Sequence, residues 1–490
     1  MQKVSLLTAS VLALMPLSSV VAKSLPAAYD IVDLGAFETD SGDAVSDGAK
    51  TSFGYAINND NSAVGASSAP HTYTIEREVN GVIVVEEVTF NMLQSIYFPD
   101  LNRTITPPER GLGIGAITNG NFATTINDET NGDGLIGGYG YDTIELESFD
   151  VDDSCASLGT NESEIRSAYT FDIADNLFKL TPNVYAGQAL GSEIEYTSSV
   201  FLDSIDGYMV GYVERITEKD DCGNISRVAR RGLIYNTDTD TISILPSYET
   251  GEYETSAIST VRGINSAGTI VGITNRLDDT DESRRSVAYY GDVGSDTLNL
   301  VTGLTGATAS YFWDVNDSEL MVGASNSESN LSNFVAFYYD NATEQVFEIG
   351  YLNDQIPSSE ALAVNNDNLI VGVSRASISP SSYRPFIYDA DATDAQPIDL
   401  NNLIDCDAGW VLSEVRAIND NGWIIGTGTV KVVDNEGKVG AEVRAFALQP
   451  RSTPANQTCE VVDDTNSSGG LSWFAALLLP LAGLRRRRSH

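Results

Sequence analysis

AVNNDNLIVG, residues 363–372, sets two short apolar runs on either side of a polar turn. Ala363-Val364 and Ile370-Val371 flank Asn365 and Asn368, and another copy places Asn265 and Gly268 at the same points. These turn residues accept positive φ and bond their own backbone. Strand, tight turn, strand is a β-hairpin. The closing Gly372 is expected where backbones approach closely. The pattern recurs as AINNDNSAVG (56–65), GINSAGTIVG (263–272), DVNDSELMVG (314–323) and AINDNGWIIG (417–426), with looser copies in INDETNGDGLIGG (126–138) and SIDGYMVG (204–211). The closing glycines are Gly65, Gly138, Gly211, Gly272, Gly323, Gly372 and Gly426, spaced by 73, 73, 61, 51, 49 and 54 residues. A period near 50 points to a propeller or array.

A second motif follows each hairpin: SIYF (95–98), SAYTF (167–171), RGLIY (231–235), SVAYY (286–290), FVAFYY (334–339), RPFIY (384–388) and RAFAL (444–448). Aromatic and β-branched residues make these further strands. A less regular strand precedes the next hairpin, as in FEIGYL (347–352) and QPIDLNNL (396–403). Seven units of about four strands predict an all-β chain, a seven-bladed β-propeller over residues 29–450. The segment YDIVDLG (29–35) has no hairpin before it, matches the trailing strand of a unit, and is expected to complete the last blade, which ends at RAFAL without one. Closing the ring that way hides the sheet edges. A solenoid would need capping units, and none is evident.

The hairpin and aromatic motifs resemble the HAF-type extracellular repeat, through Arg444-Ala445-Phe446 and Val335-Ala336-Phe337. The histidine of that triplet is missing from every copy, so the resemblance implies an architecture and brings no activity. The first three units are longer. Residues 71–92, 140–165 and 216–231 are expected to be protruding loops or extended hairpins, with Asn80-Gly81 turning a hairpin arm in VNGVIVVEEVTF (79–90). Loops carry function more often than scaffold strands, so this half of the ring is where a binding face is expected.

Both ends speak of export. Lys3, an apolar run from Leu6 to Leu17 and Val20-Val21-Ala22 make residues 1–22 a signal peptide. Residues 451–468 are a polar linker. The tail 469–490 opens with Gly469 and Gly470, continues with an apolar segment 471–484 and closes with Arg485, Arg486, Arg487 and Arg488. An apolar run followed by a cationic block is a stop-transfer pattern. As a helix the run is roughly 21 Å long, short of the ~30 Å hydrocarbon core. The tail resembles the GlyGly-CTERM sorting signal, which implies cutting near the glycine pair by a rhomboid-type sortase, transient anchoring in the inner membrane, and delivery of the body to the cell surface.

The formal charge is -41, or -46 once Lys3 and the four tail arginines are removed. A surface this acidic repels nucleic acid. Cys155, Cys222, Cys406 and Cys459 allow three disulfide pairings. Cys155–Cys222 and Cys406–Cys459 are nearest in sequence, and no CxxC spacing suggests zinc. Histidine is nearly absent: His71, in an expected loop, and His490 in the tail. No G-x-S-x-G, HExxH or P-loop motif is present. No cofactor is required. Calcium is the ion that Asn127, Asp128, Asn131 and Asp133 could take in an oxygen-rich loop, although their spacing is not that of an EF-hand. The function expected is a non-enzymatic binding scaffold on the cell surface, with an unidentified ligand for which a glycan is the candidate. The alternatives are a secreted polysaccharide hydrolase or lyase using paired carboxylates, and a purely structural envelope component.

Overall fold

The computed structural model describes residues 25–36, 51–79, 82–99, 101, 121–128, 134–149, 157–173, 175, 177–180, 189–190, 193–194, 196–222, 225–246, 248, 258–277, 284–378, 381–433 and 439–457. The alternation of strand and turn closes into seven antiparallel sheets arranged as blades. Blade 1 comprises Ser52–Ile57, Ala63–Val79 and Val82–Phe98; blade 2, Asn121–Ile126, Leu135–Phe149, Ser157–Asp172 and Leu177–Leu180. Blade 3 comprises Tyr196–Ile205, Tyr208–Lys219, Ile225–Asn236 and Thr241–Ile244; blade 4, Ser259–Ile264, Thr269–Leu277, Arg284–Asp292 and Asn299–Val301. Blade 5 comprises Ser310–Val315, Leu320–Ser327, Asn330–Asp340 and Gln345–Gly350; blade 6, Ser359–Val364, Leu369–Ile378, Ser381–Asp389 and Ile398–Asp399. Blade 7 takes Trp410–Ile418, Ile424–Val433 and Val439–Arg451 from the end of the body and Ala28–Gly35 from its beginning.

The N-terminal strand therefore closes the ring as its sequence predicts. It runs antiparallel to Val439–Arg451, from Ala28 opposite Arg451 to Gly35 opposite Ala445. Arg444 meets Asp33 at 2.6 Å and Arg451 meets Asp30 at 2.5 Å across the seam. The core of the described residues is not one mass but seven apolar clusters, one at each blade interface. The cluster between blades 7 and 1 joins Leu34, Ile425 and Ala447 to Ile57, Ile96 and Phe98, so the ring is closed by packing as well as by pairing. Each large side chain buried there contributes about 1.5–3 kcal/mol.

The two repeat motifs fit one another. A Cβ on Gly372 would lie 2.1 Å from the Glu360 carbonyl oxygen and 2.7 Å from the Phe386 ring. All seven closing glycines meet an inner-strand carbonyl this way, at 1.9–2.1 Å. The glycine makes room for the first strand and for the aromatic ring of the third. The small residue before that aromatic has its own task. Its N–H donates to a serine on the next inner strand: Ala288 to Ser310, Ala336 to Ser359 and Ala445 to Ser52, at 2.9–3.0 Å. Ser52 Oγ also donates to the Gly35 carbonyl, so this staple spans the ring seam. At the position of the absent triplet histidine, Arg384 and Arg444 pair with Asp399 and Asp33 of the trailing strands.

The turn asparagines hold the blades together. Positive φ occurs at Asn368 and Gly268, as expected, but not at Asn365 or Asn265. Asn365 is buried instead. Its Oδ1 accepts from Leu369 N at 2.9 Å, and its Nδ2 donates to the Asn419 carbonyl of the next blade at 3.0 Å. The same link runs Asn265–Asn316–Asn365–Asn419–Asn58–Asn127 at 2.8–3.0 Å, through six blades and across the seam. Blade 3 has no such asparagine, because Ile205 pairs directly with Tyr208 over Asp206-Gly207.

The long insertions are extended hairpins, not loops. In blade 1 the second and third strands stay paired from Ala63–Phe98 out to Val79–Val82, with Asn80-Gly81, outside the described residues, between them. Blades 2 and 3 extend likewise, to Phe149–Ser157 and Lys219–Ile225. His71 lies on the arm strand of blade 1, opposite Phe90, and not in a loop.

Candidate functional site on the innermost strands

Every innermost strand carries a β-bulge at the same register, just before its asparagine turn or the shortened turn of blade 3. The residues skipped by the ladder are Tyr55, Thr124, Leu202, Arg262, Trp313, Leu362 and Arg416. A bulge re-aims a side chain and is common beside sites. Two residues earlier stand Phe53, Phe122, Val200, Thr260, Tyr311, Glu360 and Glu414. The bulges thus gather aromatic and charged groups around the channel that the inner strands enclose.

The belt is continuous from blade to blade. Arg262 of blade 4 lies over the Trp313 ring of blade 5, 3.8 Å from its centroid, and its Nε has no hydrogen-bond partner among the described residues. Burial lowers the Arg262 pKa to about 10, so the guanidinium stays charged at neutral pH. Beside it, burial raises the Glu360 carboxyl against the opposing pull of the Tyr311 hydroxyl, Arg262 and Arg416. Glu414 is ion-paired with Arg416 on its own strand. Burial also raises the Tyr55 hydroxyl, with Arg416, Glu414 and Tyr141 as its charged or polar neighbours. Tyr139 stacks on Phe122 at 5.1 Å, Arg166 lies 5.7 Å over Tyr141, and its Nη1 donates to the Tyr212 hydroxyl at 3.2 Å. Arg230 lies 4.6 Å over the Tyr212 ring. On the innermost strands stand two guanidiniums, Arg262 and Arg416, and two carboxylates, Glu360 and Glu414; Arg166 and Arg230, on the third strands of blades 2 and 3, extend the zone outward with Glu214 ion-paired to Arg230 and a run of aromatic faces. Such a lining can stack on a ring and bond its polar substituents.

One step along the strand, two acids sit in the wall. Asp203 Oδ2 accepts from Ile264 N and Asp314 Oδ2 from Val364 N, each at 2.9 Å, so each clips the next inner strand or turn. Burial pushes Asp203 up to about 6, and burial together with Asp203 pushes Asp314 up to about 8. The unfolded chain releases these protons near pH 4, whereas the folded chain holds them through about pH 6 and 8. The folded state binds more protons in that window, so these groups lower stability as pH rises from about 4 to 8. Asp314→Asn removes one titration. Its stability relative to wild type is expected to climb by more than about 1 kcal/mol between pH 4.5 and 8.5, read from urea midpoints. Parallel profiles would refute the assignment.

A family model for a protein of unknown function (DUF3466) matches residues 236–487, just over half of the chain. The chain belongs to the DUF3466 family. The match takes in blades 4–7 and runs on into the tail. No curated protein matches this DUF3466 member. Among solved structures it is similar to the β-propeller domain of the trilobed protease from Pyrococcus furiosus, with 10% identity, 81% of this chain and 94% of that chain covered, and a TM-score of 0.39. It is also similar to dipeptidyl peptidase 4 of Porphyromonas gingivalis, with 10% identity, 71% of this chain and 50% of that chain covered, and a TM-score of 0.33.

The residues singled out from sequence fall elsewhere than the belt. Asn127 is buried in the asparagine chain, its Oδ1 accepting from Leu135 N at 2.6 Å, and Asp128 accepts from Asn59 N at 2.6 Å. Asn131 and Asp133 lie outside the described residues. So do the signal peptide, the tail glycines Gly469 and Gly470, the apolar segment, Arg485 to Arg488, Cys155 and Cys459. Among the described residues no helix is long and apolar enough to cross a membrane. Cys222 and Cys406 are disulfide-bonded. Cys406 N donates to the Asn456 carbonyl at 3.0 Å, and Gln457 donates to the Ile404 carbonyl at 2.8 Å. The first residues of the expected linker are thus docked on the connection between blades 6 and 7. The belt itself was not legible in the sequence. Once the bulge register is known, its residue lies two before the closing Ile or Val of the inner strand in six blades and three before it in blade 3, and it is Arg, Trp or Tyr in four blades.

Proposed function

We propose that the protein is exported, handed to the cell surface through its C-terminal tail, and binds a glycan in the channel belt without converting it. The observation that carries the reading is Arg262 stacked on Trp313 beside Glu360, with Nε unpartnered among the described residues. A charged group taken out of water is ordinarily paired. Aromatic faces suit the apolar face of a sugar ring, and guanidinium and carboxylate groups suit its hydroxyls. The overall charge of -41 disfavours nucleic acid as the partner. The test is a glycan array probed with the full chain. Arg262→Ala is expected to lower the strongest signal at least tenfold while leaving the melting temperature within about 3 °C. An array with no signal above background would end the glycan reading.

Delivery is tested separately. Replacing Gly469 and Gly470 by leucine is expected to leave full-length protein in the inner membrane, and unchanged processing would count against sorting. A second reading is favoured by Glu360 and Glu414, which hold the same register on adjacent inner strands, one with its carboxyl raised and one ion-paired. Contrasting environments of this kind can divide acid and base roles. Release of reducing ends from a bound polysaccharide, lost in both Glu360→Gln and Glu414→Gln, would make the protein a hydrolase.

A further inference from the structure

The hydrogen-bond donors and acceptors of the channel belt do not balance. Arg262 packs on the Trp313 ring, 3.8 Å from its centroid, and its Nε meets no acceptor among the described residues. Arg416 is ion-paired with Glu414 through Nη2, yet its Nε meets none either. Both stand on the bulge register, in blades 4 and 7, and both act electrostatically on Glu360 of blade 6. Each guanidinium therefore has company for its charge. What is unmet in each is the Nε–H donor.

The acceptors are in the opposite condition. Glu360 takes the Tyr311 hydroxyl, and Glu414 takes Arg416. One layer along, both oxygens of each wall acid are committed to backbone. Asp203 Oδ1 accepts from Ser204 N and Oδ2 from Ile264 N, each at 2.9 Å. Asp314 Oδ1 accepts from Val315 N at 2.7 Å and Oδ2 from Val364 N at 2.9 Å. A buried N–H is ordinarily given an acceptor. The side edge of a guanidinium, Nε with one Nη, is a two-donor fork that matches both oxygens of a carboxylate.

Resting on the channel-binding reading above, we infer that the glycan is acidic, an oligouronate with two carboxylates that take the Nε edges of Arg262 and Arg416. Two anchors on different blades ask for carboxylates on different rings, which a chain of uronate residues supplies. A neutral sugar offers separate hydroxyls, and one hydroxyl oxygen does not fill a two-donor fork. Asp203 and Asp314 repel an anion from the neighbouring layer, so the carboxylates are held at the belt. The overall charge of -41 does not decide the matter. At about 0.15 M salt exposed charges are screened beyond about 8 Å, which leaves the groups lining the channel in control.

The experiment is calorimetric titration of the full chain, in about 0.15 M salt, with trigalacturonate and with its methyl ester, whose rings are the same but uncharged. The acid is expected to bind at least tenfold more tightly than the ester. Arg262→Gln is expected to weaken the acid at least tenfold and the ester less than threefold. Arg416→Lys, which keeps a cation beside Glu414 but loses the fork, is expected to weaken the acid at least threefold. Arg384→Gln, on the third strand of blade 6 and paired with Asp399, should bind the acid within twofold of wild type. The comparison of acid and ester needs no substitution, so a variant that misfolds leaves it decisive. An ester that binds as tightly as the acid overturns the acidic assignment and leaves channel binding standing. Acid binding that survives both Arg262→Gln and Arg416→Lys overturns it as well, as does an equal loss in Arg384→Gln. No heat with either compound also overturns it, while the glycan array alone judges whether the channel binds a glycan at all.

Discussion

Gly372→Ala is expected to cost the protein at least about 4 kcal/mol of stability. The added methyl carbon would sit 2.1 Å from the Glu360 carbonyl oxygen and within 3 Å of two Phe386 ring atoms. Neither can retreat. The carbonyl belongs to an inner strand paired on this side, where Ala361 faces Gly372, and Phe386 is fully buried in the cluster between blades 5 and 6. Overpacking that displaces only side chains costs about 1–3 kcal/mol. Here a backbone must move as well, so the cost is expected to exceed that range, against a typical net stability of about 5–15 kcal/mol. Gly440→Ala is the control. Its Cβ would meet only Val432 Cγ2, at 3.7 Å, which is ordinary contact. Urea denaturation followed by tryptophan fluorescence reads both. A Gly372→Ala midpoint corresponding to less than about 1 kcal/mol of loss would refute the close-approach account.

Deleting residues 23–35 is expected to shift the protein from its wild-type elution position into aggregate. The deletion strips the partner from Val439–Arg451 and leaves its edge unpaired, an invitation to association. It removes Tyr29 and Leu34, both buried, from the clusters on either side of blade 7. At about 1.5–3 kcal/mol for each side chain, with the Asp30 and Asp33 ion pairs and the Ser52–Gly35 staple also gone, more than about 5 kcal/mol is at stake. Size-exclusion chromatography is the readout. Moving the same segment to follow residue 457 in a circular permutant is expected to restore the wild-type elution position, since only connectivity changes. A deletion variant that elutes as wild type does and melts within about 2 °C of it would show that the seam contributes nothing.

The chain's own pattern made part of this legible. A glycine that recurs at a near-constant interval has to be a backbone contact, because glycine offers no side chain to select for. The lone trailing strand at 29–35 could be paired with the blade lacking one, because strand counting in a closed ring leaves one vacancy. Other features escaped for a common reason. Asn365 reads as a turn former whether or not its amide reaches Asn419, and the difference depends on a neighbour 54 residues away. Residues 71–92 read equally as loop or arm, because charge on an exposed hairpin is indistinguishable from charge in a loop.

By itself, then, the sequence determined the number of blades, the glycine contacts and the strand that shuts the ring, since each is a local pattern repeated until geometry allows one solution. Tertiary structure alone decided what the channel is made of. A bulge exists only as a mismatch between two paired strands, so nothing in a single strand announces that Arg262, Trp313 and Arg416 are the residues set aside by it. Only when seven inner strands stand side by side do residues some 50 positions apart become one lining.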